Sequence, residues 1–293
     1  MTPARDVLAR ATQRLDAAGL PDPGRDARKL LAHVLRVPPD RLTLMLAEPI
    51  EEETERAFGA LVDRRLRREP VSHLTGRRQF YGRSFIVTPD VLDPRPETET
   101  LIEAALAEPF GHVLDLGTGS GCILLTLLAE MAEMGRDEVW GIGVELSDAA
   151  FEVAWWNRNA MRLEDRAVLL KGSWFTPLEK ALEPGFGGFD LIVSNPPYIT
   201  RADWSGLEPE VRDHEPPGAL VGGDDGLEAY RQILPELPAR LAPGGRAMVE
   251  IGAAQGAEVA AMMAEAGLGE VRIVQDLDGR DRVVVGKRVA GAA

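Results

Sequence analysis

The chain has 293 residues, 45% of them apolar, and a formal net charge of −14. That length accommodates one large α/β domain with a smaller companion, and the apolar content excludes wholesale disorder. No apolar run approaches the ~20 residues of a bilayer-spanning helix, and a single cysteine, Cys122, excludes an intrachain disulfide or a cysteine-based zinc site.

Four scattered histidines, His33, His73, His112 and His214, show no metal-ligand spacing, so no metal is expected. Met1–Asp6 lacks an apolar signal core, and a cytoplasmic location is expected, with no membrane association. The charge is unevenly placed: residues 1–75 carry 13 basic and 12 acidic side chains, and the remainder 20 basic and 35 acidic. An acidic C-terminal region argues against stable nucleic-acid binding and is compatible with a basic protein partner.

Residues 1 to about 72 read as helical. Thr2 is the expected cap and Pro3 the first helical residue, with Val7, Leu8, Ala11, Leu15 and Ala18 on one face. Arg25–Val37 repeats the pattern, a short helix follows over Asp40–Leu46, and a longer one runs from Glu51 to Arg68. Its last turn carries Arg64, Arg65, Arg67 and Arg68, expected to be a solvated helix end that suits the dipole, with a docking role as the other reading. Residues 73–96 switch to extended character, with a hairpin around Gly82-Arg83 and a stiff connector at Pro89, Pro94 and Pro96. Pro96–Glu99 opens a helix to about Ala107.

From His112 strands and helices alternate, which predicts an α/β fold with a mostly parallel sheet. The expected strands are Val113–Leu116, Val139–Leu146, Ala167–Leu170, Phe189–Ser194 and Arg246–Ile251, closed by an antiparallel pair over Val271–Gln275 and Arg282–Val285. Helices are expected over Ile123–Met134, Asp148–Met161, Gly226–Leu241 and Gln255–Ala266.

Asn195-Pro196-Pro197-Tyr198 directly follows the fourth of these strands. Two prolines cannot continue a ladder, because neither has an N–H. The strand ends there and presents Asn195 at its carboxyl edge, where open α/β sheets bind ligands. The Asn195 side-chain oxygen and the Pro196 carbonyl form two fixed acceptors, and Tyr198 a flat wall, which together suit a planar NH₂ group. A simple strand-ending turn is the alternative reading.

Gly117-Thr118-Gly119-Ser120-Gly121 lies between the first strand and a helix. Its glycines permit positive φ and close approach of a ligand, and the helix start offers free N–H groups. Dinucleotide enzymes use G-x-G-x-x-G, but Cys122 stands where the last of those glycines would fall. Glu145 ends the second strand, where an acid grips ribose hydroxyls; alternatively it caps the helix after Ser147-Asp148. Trp174, behind the third strand, packs either on an adenine or in the core. A glycine turn with a ribose acid, beside an NH₂-cradling tetrad, points to S-adenosylmethionine, leaving S-adenosylhomocysteine as product.

With these residues in hand, the chain resembles the HemK-type release-factor glutamine methyltransferases over nearly its full length. The resemblance is carried by Glu69–Gly76, Phe80-Tyr81-Gly82, Pro94–Glu99, Asp115–Gly121, Asn195–Ile199, Glu215-Pro216, Gly222-Gly223, Asp225–Leu227 and Glu250-Ile251-Gly252. It implies an N-terminal helical bundle for substrate recognition (1–72), a hairpin linker (73–96) and a class I, Rossmann-like methyltransferase domain (97–293). The implied substrate is the glutamine of the Gly-Gly-Gln loop of class-1 peptide chain release factors. Gly117, Thr118, Gly119, Ser120, Gly121, Glu145, Trp174 and Asn195 would contact S-adenosylmethionine. Asn195, Pro196, Pro197 and Tyr198 would hold the glutamine, with Asn195, Pro196 and Tyr198 acting in catalysis. Three positions depart from the family pattern: Asp93 replaces an aliphatic residue, Glu145 an aspartate and Ser173 a frequent aspartate.

Three rivals belong to other classes of substrate or function. An amino methyltransferase of DNA or RNA bases shares the pocket logic but calls for a basic groove. A non-catalytic cofactor-binding interaction factor would carry a broken tetrad or glycine loop, and both are intact here. An NAD-dependent oxidoreductase is disfavoured by the short glycine spacing.

Overall fold

A computed structural model describes residues 2–289. The chain forms two compact units, one from residues up to Arg77 with Glu208–His214, the other from Arg78–Leu207 and Glu215 onward.

The first unit is helical: α1 (Ala4–Ala17), α2 (Pro23–Leu35), α3 (Leu42–Met45), α4 (Glu52–Leu66) and α5 (Val71–Thr75). Val7, Ala11 and Leu15 of α1, Leu30 and Leu31 of α2, and Phe58 and Val62 of α4 recur at helical spacing and share one core. The chain start differs from expectation: Thr2-Pro3 (β1) pairs antiparallel with Pro49-Ile50 (β2), and α1 begins at Ala4 with no side-chain cap. Residues 73–75 are helical rather than extended, and α5 ends in a left-handed Gly76, φ 68°.

The arginine cluster is only in part a solvated helix end: Arg67 is exposed, whereas the other three are paired. Arg65 is buried and donates to Asp26 at 2.7 Å and Glu210 at 3.1 Å, Arg68 reaches Glu210 at 3.2 Å, and Arg64 pairs with Glu69. The guanidiniums of Arg64, Arg65 and Arg68 are held by internal carboxylates, because the buried Asp26 and half-buried Glu210 would otherwise lack a counter-charge.

The second unit opens with a hairpin, β3 (Arg77–Phe80) and β4 (Arg83–Ile86). Its turn is Tyr81-Gly82, one residue earlier than expected, with φ of 47° and 73°; two positive φ angles match the right-handed twist of the paired strands. A 3₁₀ turn over Pro96–Thr98 leads into α6 (Glu99–Leu106).

The sheet comprises β5 (His112–Leu116), β6 (Trp140–Glu145), β7 (Ala167–Lys171), β8 (Phe189–Ser194), β9 (Leu241–Glu250), β10 (Gly269–Gln275) and β11 (Asp281–Lys287). Its order is β10-β11-β9-β8-β5-β6-β7. The five strands β7, β6, β5, β8 and β9 run parallel, whereas β11 is antiparallel to both β9 and β10. The α/β reading with a closing antiparallel strand thus describes the observed sheet.

Strand side chains alternate between two cores. Val113, Leu191, Val193 and Met248 face the core that holds Leu101, Leu124 and Leu128, while Leu114, Ile192, Ala247 and Val249 face the one with Tyr230, Leu237 and Val259. The helix expected over Gly226–Leu241 is broken into Glu228–Ile233, a 3₁₀ turn over Leu234–Glu236, and Leu237–Arg240. Pro235 and Pro238 lack the N–H groups that a continuous helix needs, and Leu241 already begins β9.

After β5 the chain adds β6 and β7 on one side, then crosses to place β8 on the other. The crevice at the carboxyl ends of β5 and β8 is the topological switch point, where such sheets bind ligands.

Candidate active site

A cavity of about 660 Å³ opens at that switch point, within the range of small-molecule sites. Its floor is the glycine turn. Gly117, Gly119 and Gly121 have φ of 70°, 56° and 80°, a conformation costly for residues with a Cβ. The Gly117 and Thr118 amides donate to the Val144 carbonyl, and the Thr118 hydroxyl donates to Asp115 at 2.6 Å. Asp115 is fully buried under the turn, and that burial pushes its carboxyl up to about 7. Gly117, Thr118, Gly119 and Ser120 line the cavity. Gly121 does not: it caps α7 (Cys122–Glu133), and a Cβ there would come within 2.9 Å of Leu125. Its role is packing at the helix start.

Glu145, the last residue of β6, lines the cavity and is 9% exposed. Its two carboxylate oxygens accept from the Gly119 amide at 2.9 Å and the Ser147 amide at 2.8 Å. Each oxygen retains a lone pair, so the side chain ties the glycine turn to β6 and can still accept from a ligand hydroxyl. The helix α8 (Asp148–Ala160) is capped instead by Ser147, which accepts from the Ala150 amide.

Trp174 and Ser173 close the side nearest β7. Trp174 has φ 46°, and its ring lies 3.5 Å from where a Cβ on Gly117 would stand. Its indole N–H donates to Gln232 at 2.8 Å. The half-buried ring lies beside the turn and also packs against the core that holds Leu114 and Phe175, with one edge fixed.

Asn195, Pro196 and Pro197 form the opposite wall. The Asn195 Nδ2 donates to the Thr98 hydroxyl at 3.2 Å, and Oδ1 is buried without a hydrogen-bond partner. The Pro196 carbonyl takes no hydrogen bond among the described residues. Buried acceptors without donors are rare in folded chains and mark a place for a ligand donor. Tyr198 does not line the cavity; its hydroxyl donates to Glu250 at 3.4 Å and its ring edge packs by Gly252. Burial and the Glu250 carboxylate raise its phenol pKa well above the usual value. Two prolines fix the backbone direction after Asn195 and carry the tyrosine away from the cavity.

The ledge is clamped from behind. Ile199 exchanges hydrogen bonds with Leu220 and Gly222, while Gln255 Nε2 donates to the Tyr198 carbonyl at 3.2 Å. A Cβ on Gly222 would lie 2.4 Å from the Pro197 carbonyl, and one on Gly226 2.3 Å from that of Tyr198. Only glycine allows this approach. Along the rim, Arg95 is bound to the buried Glu215 at 2.6 Å, which fastens the Pro216–Ala219 strap. Asp93, one of the three departures from the family pattern, is buried and paired with Arg78 at 3.3 Å.

Thr98, Asp115, Gln232, Glu250 and the two clamping glycines were not among the expected site residues. All of these except Gln232 lie inside segments that carry the resemblance, which was the one available signal.

The cavity fits an adenosine-type sulfonium ligand: a glycine floor, an acidic Glu145, the Trp174 ring and the polar Asn195 lie around one space. The PrmC N-terminal domain family matches residues 6–76. A release factor glutamine methyltransferase of Cereibacter sphaeroides is 50% identical, covering 96% of this chain and 97% of the relative. The corresponding protein of Rhodospirillum rubrum is 43% identical, covering 97% and 85%. Among solved structures, the hMettl16 catalytic domain with a MAT2A 3′UTR hairpin superposes with a TM-score of 0.55 at 16% identity, covering 79% of this chain and 84% of that one. A methyltransferase of Pyrococcus furiosus gives 0.50 at 19%, covering 72% and 91%. These two likenesses bear on the fold, a class I methyltransferase sheet. Identity of this extent across both chains, with the fold to match, means that the chain belongs to the release factor glutamine methyltransferase family.

Proposed function

We propose that the protein transfers a methyl group from S-adenosylmethionine to the side-chain nitrogen of the glutamine in the Gly-Gly-Gln loop of a class-1 peptide chain release factor. The observation that carries this reading is Asn195 itself, which lines the cavity and holds a buried Oδ1 with no hydrogen-bond partner. When bound, S-adenosylmethionine supplies an electrophilic methyl carbon on a sulfonium.

Glu145 would accept from the ribose hydroxyls, the Gly117–Ser120 turn would let the ligand come close to its main chain, and the Trp174 ring would cover one side. Asn195 Oδ1 and the Pro196 carbonyl accept the two N–H protons of the glutamine amide. A carboxamide nitrogen is a poor nucleophile, because its lone pair is delocalised into the carbonyl. Fixing both protons orients that lone pair and favours the charge that develops on nitrogen. Tyr198 contributes from behind, by holding the ledge through Glu250. We assign recognition of the release factor to the helical unit and transfer to residues 97–293.

The test is mass spectrometry of a purified release factor after incubation with the protein and S-adenosylmethionine. One added methyl on the Gly-Gly-Gln glutamine is expected; methylation of a DNA or RNA adenine in its place would reject the reading.

A further inference from the structure

We infer that Glu250, acting through Thr98, is a positioning residue that fixes which end of the Asn195 carboxamide faces the cavity. The inference rests on the proposed reading of Asn195 as the acceptor of the substrate amide.

Asn195 carries an oxygen and an NH₂ on one planar group, and only the oxygen suits a substrate NH₂. A half-turn of that plane would aim a donor at a donor. What prevents the turn is Thr98. Its hydroxyl accepts from Asn195 Nδ2 at 3.2 Å. A hydroxyl that accepts from one neighbour must send its own proton elsewhere. The adjoining acceptor is Glu250: the Thr98 side chain stabilises its carboxylate, and the buried Glu250 Oε2 has no hydrogen-bond partner of its own. Tyr198 donates to the second oxygen, Oε1, at 3.4 Å. Glu250 therefore accepts from Tyr198 and keeps a second, unpartnered oxygen for the Thr98 hydroxyl. It is 1% exposed and does not line the cavity, so its influence on substrate must pass through Thr98 or Tyr198.

The arrangement holds only while Glu250 is ionised. Once protonated, it can donate to the Thr98 oxygen, and Thr98 is then free to donate to Asn195 Oδ1 with the amide reversed. Burial pushes the Glu250 carboxyl up to about 7. The charged and titratable groups around it are Arg282 of β11 and Tyr198, which favour the carboxylate, and Glu97, which opposes it. Cys122 of α7 and Tyr230, whose hydroxyl donates to the Glu250 backbone carbonyl at 2.7 Å, complete the surroundings. Turnover should thus rise with pH as Glu250 ionises.

The experiment measures kcat and KM for methylation of a purified release factor between pH 5.5 and 8.5, together with S-adenosylmethionine affinity by calorimetry. Wild type is compared with Thr98→Val, Thr98→Ser and Glu250→Gln. Thr98→Val should lower kcat about 10²-fold with cofactor affinity retained, and Thr98→Ser should restore it. Glu250→Gln should remove the rise of kcat near neutral pH. Cofactor binding reports that each variant has folded. Wild-type kcat in Thr98→Val, or an unchanged pH profile in Glu250→Gln, would overturn the inference while Asn195→Ala still loses activity. Absence of methylation by the wild type would instead reject the reading of Asn195 on which the inference stands.

Discussion

The Gly119 amide donates to the Glu145 carboxylate at 2.9 Å, joining the turn after β5 to the end of β6. The two halves of the candidate cofactor site are thereby one hydrogen-bonded object, and a ligand that uses Glu145 also reads the shape of the glycine turn. Glu145→Gln should be more harmful than loss of charge alone suggests. A glutamine NH₂ must face either the Gly119 or the Ser147 amide, donor against donor. We expect destabilisation of about 1–3 kcal/mol in chemical denaturation, and weaker S-adenosylmethionine binding by calorimetry.

Gly222 and Gly226 define how far the ledge can sit from its support. Gly222→Ala and Gly226→Ala each drive a methyl into a carbonyl oxygen, at 2.4 and 2.3 Å before relaxation. The ledge must move, and a displacement near 1 Å at a reacting group costs about 10²-fold in rate. Both variants should keep cofactor affinity while kcat falls, a split that steady-state kinetics with calorimetry resolves.

Arg65 is the charge on which the helical unit depends. Its side chain is 6% exposed and faces Asp26 and Glu210. Arg65→Ala leaves the buried Asp26 without its counter-charge and should cost about 3–5 kcal/mol, read as a lowered midpoint in urea. Arg10→Ala, which breaks an exposed pair with Glu55, should change the midpoint little.

Asp115 makes stability depend on pH in an unusual direction for a carboxylate. Its folded pKa is about 7 against an ordinary 3.8, raised first by burial. Between those values the folded chain keeps a proton that the unfolded chain has released. Stability therefore falls as pH rises through this window and levels off above it. Relative to Asp115→Asn, the wild type should lose melting temperature from about pH 4 to 7 and then hold constant, as calorimetric scans at stepped pH will show. Glu250, raised to about 7, adds a slope of the same sign.

Much of this site was legible because its elements are local. Strand, glycine turn and helix follow one another over Val113–Met134, and Pro196-Pro197 ends β8 for reasons internal to two residues. Glu145 was readable as a strand-terminal acid. What could not be read were partnerships across the chain: Thr98 with Asn195, Glu250 with Tyr198, and Gly222 with Pro197 each join segments far apart in sequence. Arg65 shows the same limit. A basic cluster at a helix end suggests solvent, and only the fold brings Asp26 and Glu210 to it. Tyr198 illustrates a different one, since adjacency to Asn195 suggested a shared wall, whereas the rigid Pro-Pro unit turns its ring to the far side.

The most direct measurement of the central claim is single-turnover methylation of a purified release factor by wild type and by Asn195→Ala, both saturated with S-adenosylmethionine. Removing one oriented polar contact should slow the transfer step about 10²–10³-fold, while calorimetry still shows cofactor bound. Transfer by Asn195→Ala at the wild-type rate would contradict the account.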